Sequence, residues 1–306
     1  MEAHPLLQSL IATTSASTTT YGGRALSSPP PKVDSHVISN VSGILFRLTL
    51  ITFIGIMAIW ANHEASKGFS ITIVNDAGKY SLPGKHFSLF YQANDKATRI
   101  VLNTSRFVEK LLYPNKDFLH MRKQIDGVTL RLAPTDFPGI VAVDSRQPYE
   151  YIISLSPSIM ETSNNNEEAI VLAVLQGMAR VWLWDGNGAT PPVLLNGMVE
   201  YISSLAGFTL ADQAWTSGGD ATRSPEKNVV CWTDEQPIMV AWFLRYCDQR
   251  KQPGGGGGGE VIRRLNQKMR TGWHDWMMDE TLGMAGQHAC ASYDILIRHH
   301  NLLSSM

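Results

Sequence analysis

Two consecutive helical patterns joined by a short turn place the strongest constraint on how this chain folds. Glu167–Trp184 has apolar residues at helical spacing, Asn165 is suited to cap its first turn, and Glu168 follows three residues later as in a capping box. The pair Pro191-Pro192 is suited to open a second helix, which we expect to run to about Leu205. Any fold for the chain must therefore accommodate this helix pair and its connecting turn.

The patterns on either side predict a small β-sheet before the helix pair and further helices after it. Strand-like alternation of apolar residues occurs only before the pair, whereas helix-like spacing dominates after it. We therefore predict an α+β fold over residues 68–300, with a small mixed β-sheet followed by a mostly helical half. The expected strands are Phe69–Val74, Val128–Leu132, Gly139–Val143 and Tyr151–Leu155, and the other expected helices are Asp95–Leu112, Gln236–Asp248, Val261–Thr271 and Ala289–His299.

Two segments have compositions that do not suit a packed core. Residues 1–40 are rich in Ser, Thr, Pro and Ala and lack apolar periodicity, so we expect them to be disordered. The run Gly254–Gly259 follows Pro253 and has no side chains to pack, which predicts a flexible surface loop over residues 253–259.

Residues 41–61 form an apolar stretch with a single charge, Arg47. Its length is close to the roughly 20 residues of a membrane span, Arg47 lies near one end, and Trp60 suits the opposite interface. We expect a single-pass membrane anchor, with the N-terminus in the cytosol and the domain in the lumen or outside the cell. The alternatives are a cleaved signal peptide ending at Ala61 and a buried or organelle-targeting segment, for a secreted or organellar protein. On the lumenal side, Asn103 would be a glycosylation candidate, because it begins an Asn-Thr-Ser sequon.

Charge and cysteine content narrow the range of partners and sites. The formal net charge is -1 at pH 7, so no basic field points to nucleic acid as a partner. The cysteines are Cys231, Cys247 and Cys290, and none forms the Cys-x-x-Cys pair of a zinc site. A Cys231–Cys247 disulfide in an oxidising compartment and three buried thiols are both compatible with these positions.

The helix pair and the segments that follow resemble the plant basic secretory protein family, which is a zincin-like metallopeptidase family. The resemblance covers about residues 70–298 and implies a zincin-like domain. In that family a His-Glu-x-x-His helix and a carboxylate on the next helix hold a zinc ion. The matching residues are Met178, Val181, Trp182, Trp184, Gly186, Asn187, Gly188, Gly197 and Tyr201, then Phe243-Leu244, Tyr246-Cys247, Leu265-Asn266, Lys268-Met269-Arg270 and Gly272.

The four positions that would carry this chemistry hold other residues. Gln176 and Arg180 stand at the two histidine positions, Gly177 stands at the glutamate position, and Asn196 stands at the third-ligand position. Neutral amide oxygens are poor zinc ligands, and glycine cannot accept a proton. Arginine places a permanent charge at the metal position, where the repulsion between two unit charges is roughly 4 kcal/mol at about 4 Å and a dielectric near 20. We therefore expect no catalytic residue, no metal and no other cofactor.

A scaffold without its reactive groups favours a binding role over hydrolysis. None of the nine histidines lies in the helix pair, so no obvious ligand replaces the missing ones. The sequence thus predicts a degenerate, membrane-anchored pseudopeptidase that binds a peptide or protein in the former substrate cleft. Candidate cleft residues are Arg180, Trp182, Trp184 and Glu200, and Glu200 either pairs with Arg180 or faces solvent. The alternative function is an active peptidase of the same family with non-standard metal ligands, for example in defence.

Overall fold

The computed structural model of the protein describes residues 45–57, 68–78, 80–114, 120–161, 166–209, 230–233, 236–251 and 258–304. The disordered segment expected at residues 1–40 and the first part of the glycine loop lie outside these ranges. The chain divides into two units, of which one comprises residues 12–70 and the other comprises residues 1–11 and 71–306.

In the first unit, residues 45–57 form a helix whose side chains are all exposed. Thr49 and Thr52 donate hydrogen bonds from their hydroxyls to the carbonyls of Leu45 and Leu48, over 2.7 and 2.8 Å. No helix within the described ranges combines the length and the apolar character needed to cross a membrane. Residues 41–44 and 58–61 of the span expected over residues 41–61 lie outside the described ranges.

In the second unit, four strands form a mixed sheet in the order β1-β2-β4-β3. The strands are β1 (Ser70–Asn75), β2 (Gly127–Leu132), β3 (Val141–Gln147) and β4 (Glu150–Leu155). β2 and β4 are parallel, whereas β3 and β4 are antiparallel. The tight turn between β3 and β4, with Tyr149 at a φ of 67°, makes β3 the antiparallel edge strand. The small mixed sheet agrees with the sequence-based prediction.

Eight helices of this unit are described, and all but two of them were expected. They are α1 (Leu82–Phe87), α2 (Lys96–Leu112), α3 (Asn166–Trp182), α4 (Pro192–Leu205), α5 (Pro237–Lys251), α6 (Glu260–Lys268), α7 (Trp276–Leu282) and α8 (Gly286–Ser304). α1 continues into a π-helical turn at Ser88–Gln92, and Pro157–Met160 forms a 3₁₀ turn. α1 and α7 were missed because their six and seven residues are too few to show a helical period.

α3 is the central helix of the domain, in contact with α2, α4, β3 and β4. Val174, Met178 and Val181 are fully buried, and apolar residues extend around much of its circumference, as is typical of a helix covered on several sides. Gln176 and Arg180 are half-buried exceptions to this pattern. The core therefore fixes the position of the two polar side chains that concern function.

The turn after α3 is held by backbone geometry and by one buried amide. Gly186–Gly188 all have positive φ, and a Cβ on Gly186 would lie 2.9 Å from Cβ of Trp273, so the first position requires glycine. Asn266 is fully buried and accepts from the backbone N–H of Trp184 over 2.8 Å. Its Nδ2 donates to the hydroxyl of Tyr113 over 3.1 Å. Gly186 and Asn266, two of the residues that carry the family resemblance, therefore hold this turn in place.

The end of the glycine run is packed against the core. Gly259 is buried with a φ of 104°, and a Cβ there would lie 2.6 Å from Cδ1 of Leu111. The carboxylate of Asp248 accepts hydrogen bonds from the backbone N–H groups of Gly259 and Val261, the latter over 3.0 Å. Residues 253–257 of the loop predicted over residues 253–259 lie outside the described ranges, and at its C-terminal end this carboxylate holds the backbone of Gly259.

The structure contains a disulfide between two cysteines that the sequence analysis did not pair. Cys231 and Cys290 are bonded, with Cα atoms 5.7 Å apart, which lies in the usual range for a disulfide. Cys247 is buried in α5 and takes no part in the bond. The structure has neither of the two arrangements that the sequence left open, a Cys231–Cys247 bridge or three thiols, because the short segment at residues 230–233 packs against α8.

Candidate functional site

Four polar side chains meet between α3 and α4, and we call Gln176, Arg180, Asn196 and Glu200 the α3–α4 polar cluster. Each helix contributes two of them, one turn apart on a single face. Nε2 of Gln176 donates to Oε1 of Glu200 over 3.1 Å. Nη2 of Arg180 donates to Oδ1 of Asn196 over 3.0 Å. The positions expected from the sequence at 176, 180 and 196 therefore converge, and Glu200 joins them.

Arg180 also reaches the edge of the sheet. Its Nη1 donates to the backbone carbonyl of Val141 over 3.4 Å, at the first residue of β3. A single guanidinium thus connects α3 with α4 and with the edge strand. The planar guanidinium directs its donors to several partners at once, whereas the single ammonium group of a lysine does not have this geometry.

The charges of the cluster are partly desolvated. Burial lowers the pKa of Arg180, and the attraction of Glu200 opposes this shift. Burial raises the pKa of Glu200, while the charge of Arg180 and the hydrogen bond from Gln176 oppose that shift. The two charged groups attract each other through space, and their hydrogen bonds to side chains go to the amides of Asn196 and Gln176. The solvent-facing alternative for Glu200 is therefore wrong, because this half-buried side chain lies within the cluster.

Gly177, where the sequence analysis expects the family's glutamate, faces the sheet at very close range. A Cβ at this glycine would lie 2.6 Å from Cγ2 and 3.2 Å from Cδ1 of Ile153 on β4. Ile153 is fully buried, and its branch at Cβ restricts its rotamers. This packing has no room for a glutamate side chain at position 177.

The residues present do not fit the zinc ion that the family resemblance implies. Gln176 and Asn196 direct their amides to Glu200 and Arg180, so a cationic guanidinium lies where Asn196 would meet a metal. Within the described ranges, no group of three or more His, Cys, Asp or Glu side chains is placed to hold a metal ion. Glu200 supplies one carboxylate to the cluster, which is not the three-ligand set of a catalytic zinc site.

The two tryptophans expected in the cleft lie elsewhere. Trp182 has no exposed surface, and its Nε1 donates to Oγ of Ser105 over 3.0 Å. Trp182 follows Arg180 by two residues, so it points to nearly the opposite side of α3 and belongs to the core. Trp184 is half-buried in the turn after α3, where its Nε1 donates to the carbonyl of Met121 over 3.4 Å. Neither ring contributes to the α3–α4 polar cluster.

The glycosylation candidate Asn103 lies in the middle of α2. Asn103 is half-buried, and the next two residues of its sequon, Thr104 and Ser105, are buried. Ser105 accepts the hydrogen bond from Trp182 described above. The folded domain therefore does not present this sequon in an exposed loop, which is the usual setting of an acceptor site.

Lys123 is a largely desolvated cation that the sequence analysis missed. Its Nζ donates to the carbonyl of Leu183 over 2.8 Å and lies 5.0 and 5.6 Å from the ring centroids of Tyr151 and Trp184. Burial lowers the pKa of Lys123 to about 8, against the attraction of Asp185. No sequence signal could have revealed this, since its partners are distant along the chain.

Comparison with known proteins gives one match. A family model described as a peptidase of plants and bacteria matches residues 66–293 and thus includes the whole α3–α4 polar cluster. No curated protein matches the chain, and no solved structure does.

Proposed function

The chain belongs to the family of peptidases of plants and bacteria, and from this premise we propose that it binds a peptide or protein partner without hydrolysing it. One observation carries the proposal: the Arg180 guanidinium donates to Asn196, so two positions that would hold zinc hold each other. The close packing of Gly177 on Ile153, which leaves no space for a general base, supports it further.

The chemistry of the cluster indicates the class of partner. An arginine guanidinium has five N–H donors, and one from each of the two terminal nitrogens of Arg180 is used by Asn196 and Val141. The remaining donors suit a carboxylate, which binds guanidinium groups with good geometry. The proposed ligand is therefore a peptide or protein that presents an acidic side chain or a C-terminal carboxylate.

Metal analysis of the purified full-length protein tests the non-catalytic part of the proposal. We expect far less than one zinc per chain after equilibration with zinc, and no chelator-sensitive hydrolysis of peptide substrates. Stoichiometric zinc that is lost in Asn196→Ala but retained in Gln124→Ala, an exposed control, would instead establish a peptidase with non-standard ligands.

Peptide binding tests the other part. Peptides with a free C-terminal carboxylate or an acidic side chain would be titrated against the full-length protein. The same peptides with these carboxylates converted to amides would be titrated in parallel. We expect carboxylate-dependent binding that weakens at least about tenfold in Arg180→Met, the loss typical of a charge-assisted hydrogen bond. Arg106→Met, on the exposed face of α2, is the matched control and should bind as the natural protein does. Equal binding by both variants would rule out the cluster as the ligand site.

We infer further that residues 41–61 attach the protein to a membrane and that the domain faces the lumen or the exterior. The apolar side chains of residues 45–57 are exposed all around the helix, which favours an apolar environment. The Cys231–Cys290 disulfide favours an oxidising compartment. Alkaline extraction and protease protection of membranes from expressing cells test this. Release of the protein by alkali would contradict the membrane attachment. Digestion of the domain by protease added outside sealed vesicles, whose outer face is the cytosolic face, would contradict the lumenal or exterior placement.

A further inference from the structure

The α3–α4 polar cluster contains one cation and one anion, and the two lie on different helices. Gln176 and Arg180 are one turn apart on α3, as Asn196 and Glu200 are on α4. Gln176 bonds to Glu200 and Arg180 bonds to Asn196, so the two helices run antiparallel at the cluster. Each hydrogen-bonded pair therefore joins one charged side chain to one neutral amide, and the charge has the opposite sign in the other pair.

The charged groups of Arg180 and Glu200 are offset by about one helical turn. Each of these side chains reaches an amide of the opposite helix, so both charged groups lie between α3 and α4. Four residues of an α-helix rise about 6 Å along its axis, and this rise separates the two hydrogen-bonded pairs. A ligand that meets both charges must therefore carry two charges of its own at about this spacing.

Both charged side chains have hydrogen-bonding capacity left for a ligand. Nη1 and Nη2 of Arg180 each donate one bond, to Val141 and Asn196, so the described residues use two of its five N–H donors. Oε1 of Glu200 accepts the bond from Gln176, and Oε2 accepts none from the described residues. All four side chains of the cluster are half-buried, so each keeps some surface that a ligand can reach from solvent.

A ligand whose only charge is a carboxylate meets two opposing forces at this site. Its negative charge is attracted by Arg180 and repelled by Glu200, and the partial burial of both groups weakens the screening of these forces by water. An ammonium on the same ligand replaces the repulsion at Glu200 by an attraction. A ligand with one charge of each sign thus complements a cluster that has one charge of each sign.

We propose that the α3–α4 polar cluster selects a zwitterionic ligand, a short peptide with both termini free, whose carboxylate binds Arg180 and whose ammonium binds Oε2 of Glu200. A peptide of two residues spans at most about 7 Å, which suits an offset of about 6 Å, whereas the two charges of a free amino acid flank a single Cα. Asn196 and Gln176 hold the two charged side chains in position. The inference rests on the carboxylate binding proposed above and adds the second charge to it.

One dipeptide in three forms tests the second charge. Radiolabelled alanyl-alanine with free termini, its N-acetylated form and its C-amidated form would each be titrated against the full-length protein by equilibrium dialysis. We expect the free dipeptide to bind at least about tenfold more tightly than either blocked form, the loss typical of a charge-assisted hydrogen bond. Equal binding of the free and N-acetylated forms would overturn the second charge and leave the carboxylate site intact. Equal binding of the free and amidated forms, or binding of none, would overturn the proposed function as well.

Substitution of Glu200 distinguishes a role in binding from a role in folding. Glu200→Gln keeps an acceptor oxygen for Gln176 and removes the negative charge. It should weaken binding of the free dipeptide at least about tenfold, while the N-acetylated form should bind as tightly as before or more tightly, because the repulsion is gone. Glu150→Gln, at the exposed start of β4, is the matched control and should change neither affinity. Equal weakening of both forms in Glu200→Gln would assign this residue a structural role only and overturn the inference.

Discussion

Gly177 on α3 and Ile153 on β4 lie so close that a Cβ added to the glycine would be 2.6 Å from Cγ2 of the isoleucine. This contact packs the central helix closely against the sheet, one residue along α3 from Gln176 of the α3–α4 polar cluster. The present packing therefore requires a glycine at position 177, where the sequence analysis expects the family's glutamate.

Gly177→Ala is expected to destabilise the protein by about 1–3 kcal/mol, the usual range for overpacking. In an unobstructed helix the same change would stabilise by up to about 1 kcal/mol. Ile153→Ala alone should cost about 2–5 kcal/mol through a cavity, and the double variant should cost less than the sum. Chemical denaturation of the three variants measures the coupling. Additive costs would mean that the two residues do not contact each other.

Asp248 should be one of the most sensitive buried polar residues. Its carboxylate accepts from the Tyr201 hydroxyl over 2.8 Å and from the N–H groups of Gly259 and Val261. Asp248→Asn replaces one acceptor oxygen by a donor that faces N–H groups, and we expect a loss of about 2–4 kcal/mol in unfolding free energy. Tyr201→Phe removes only one of these bonds and should cost about 1 kcal/mol. Similar losses in both variants would contradict the central role of the carboxylate.

The lowered pKa of Lys123 predicts that the unfolding free energy of the protein increases as the pH rises above about 8. Its pKa is lowered from 10.5 to about 8 in the folded protein. Between these values the unfolded chain binds more protons, so the unfolding free energy increases with pH, by at most roughly 3 kcal/mol over the whole interval. Denaturation between pH 7.5 and about 9.5, below the range where tyrosines titrate, measures the slope.

Lys123→Met should remove this slope and leave a flat profile. Lys110→Met, an exposed lysine on α2, should retain it. If the unfolding free energy still rises with pH in Lys123→Met, another titrating group causes the rise.

The Cys231–Cys290 disulfide should contribute strongly to stability, because the cysteines lie 59 residues apart. Chain-entropy reasoning for a loop of this length gives about 4 kcal/mol. Cys231→Ala and the double variant Cys231→Ala with Cys290→Ala should lose similar amounts, since either removes the bond. Cys247→Ala should cost less and leave the disulfide in place, as non-reducing peptide mapping would verify. A Cys231–Cys247 peptide in that map would refute the pairing.

Local sequence patterns predicted most of the secondary structure. The helical spacing in Asp95–Leu112 and the Pro-Pro start of α4 correspond to helices with nearly the expected ends. The alternation in Phe69–Val74 corresponds to β1. These signals are reliable because caps, prolines and apolar periods act within a few residues of one another.

What the sequence determined by itself is the identity of the groups at 176, 177, 180 and 196, and hence that neither imidazole nor glutamate is present there. Tertiary structure decided which groups these residues meet: Arg180 with Asn196 and Val141, Gln176 with Glu200, and Gly177 with Ile153. It also placed Trp182 in the core and paired Cys231 with Cys290. These contacts join residues that are far apart along the chain, and only the packing of α3 against the sheet and α4 brings them within bonding distance.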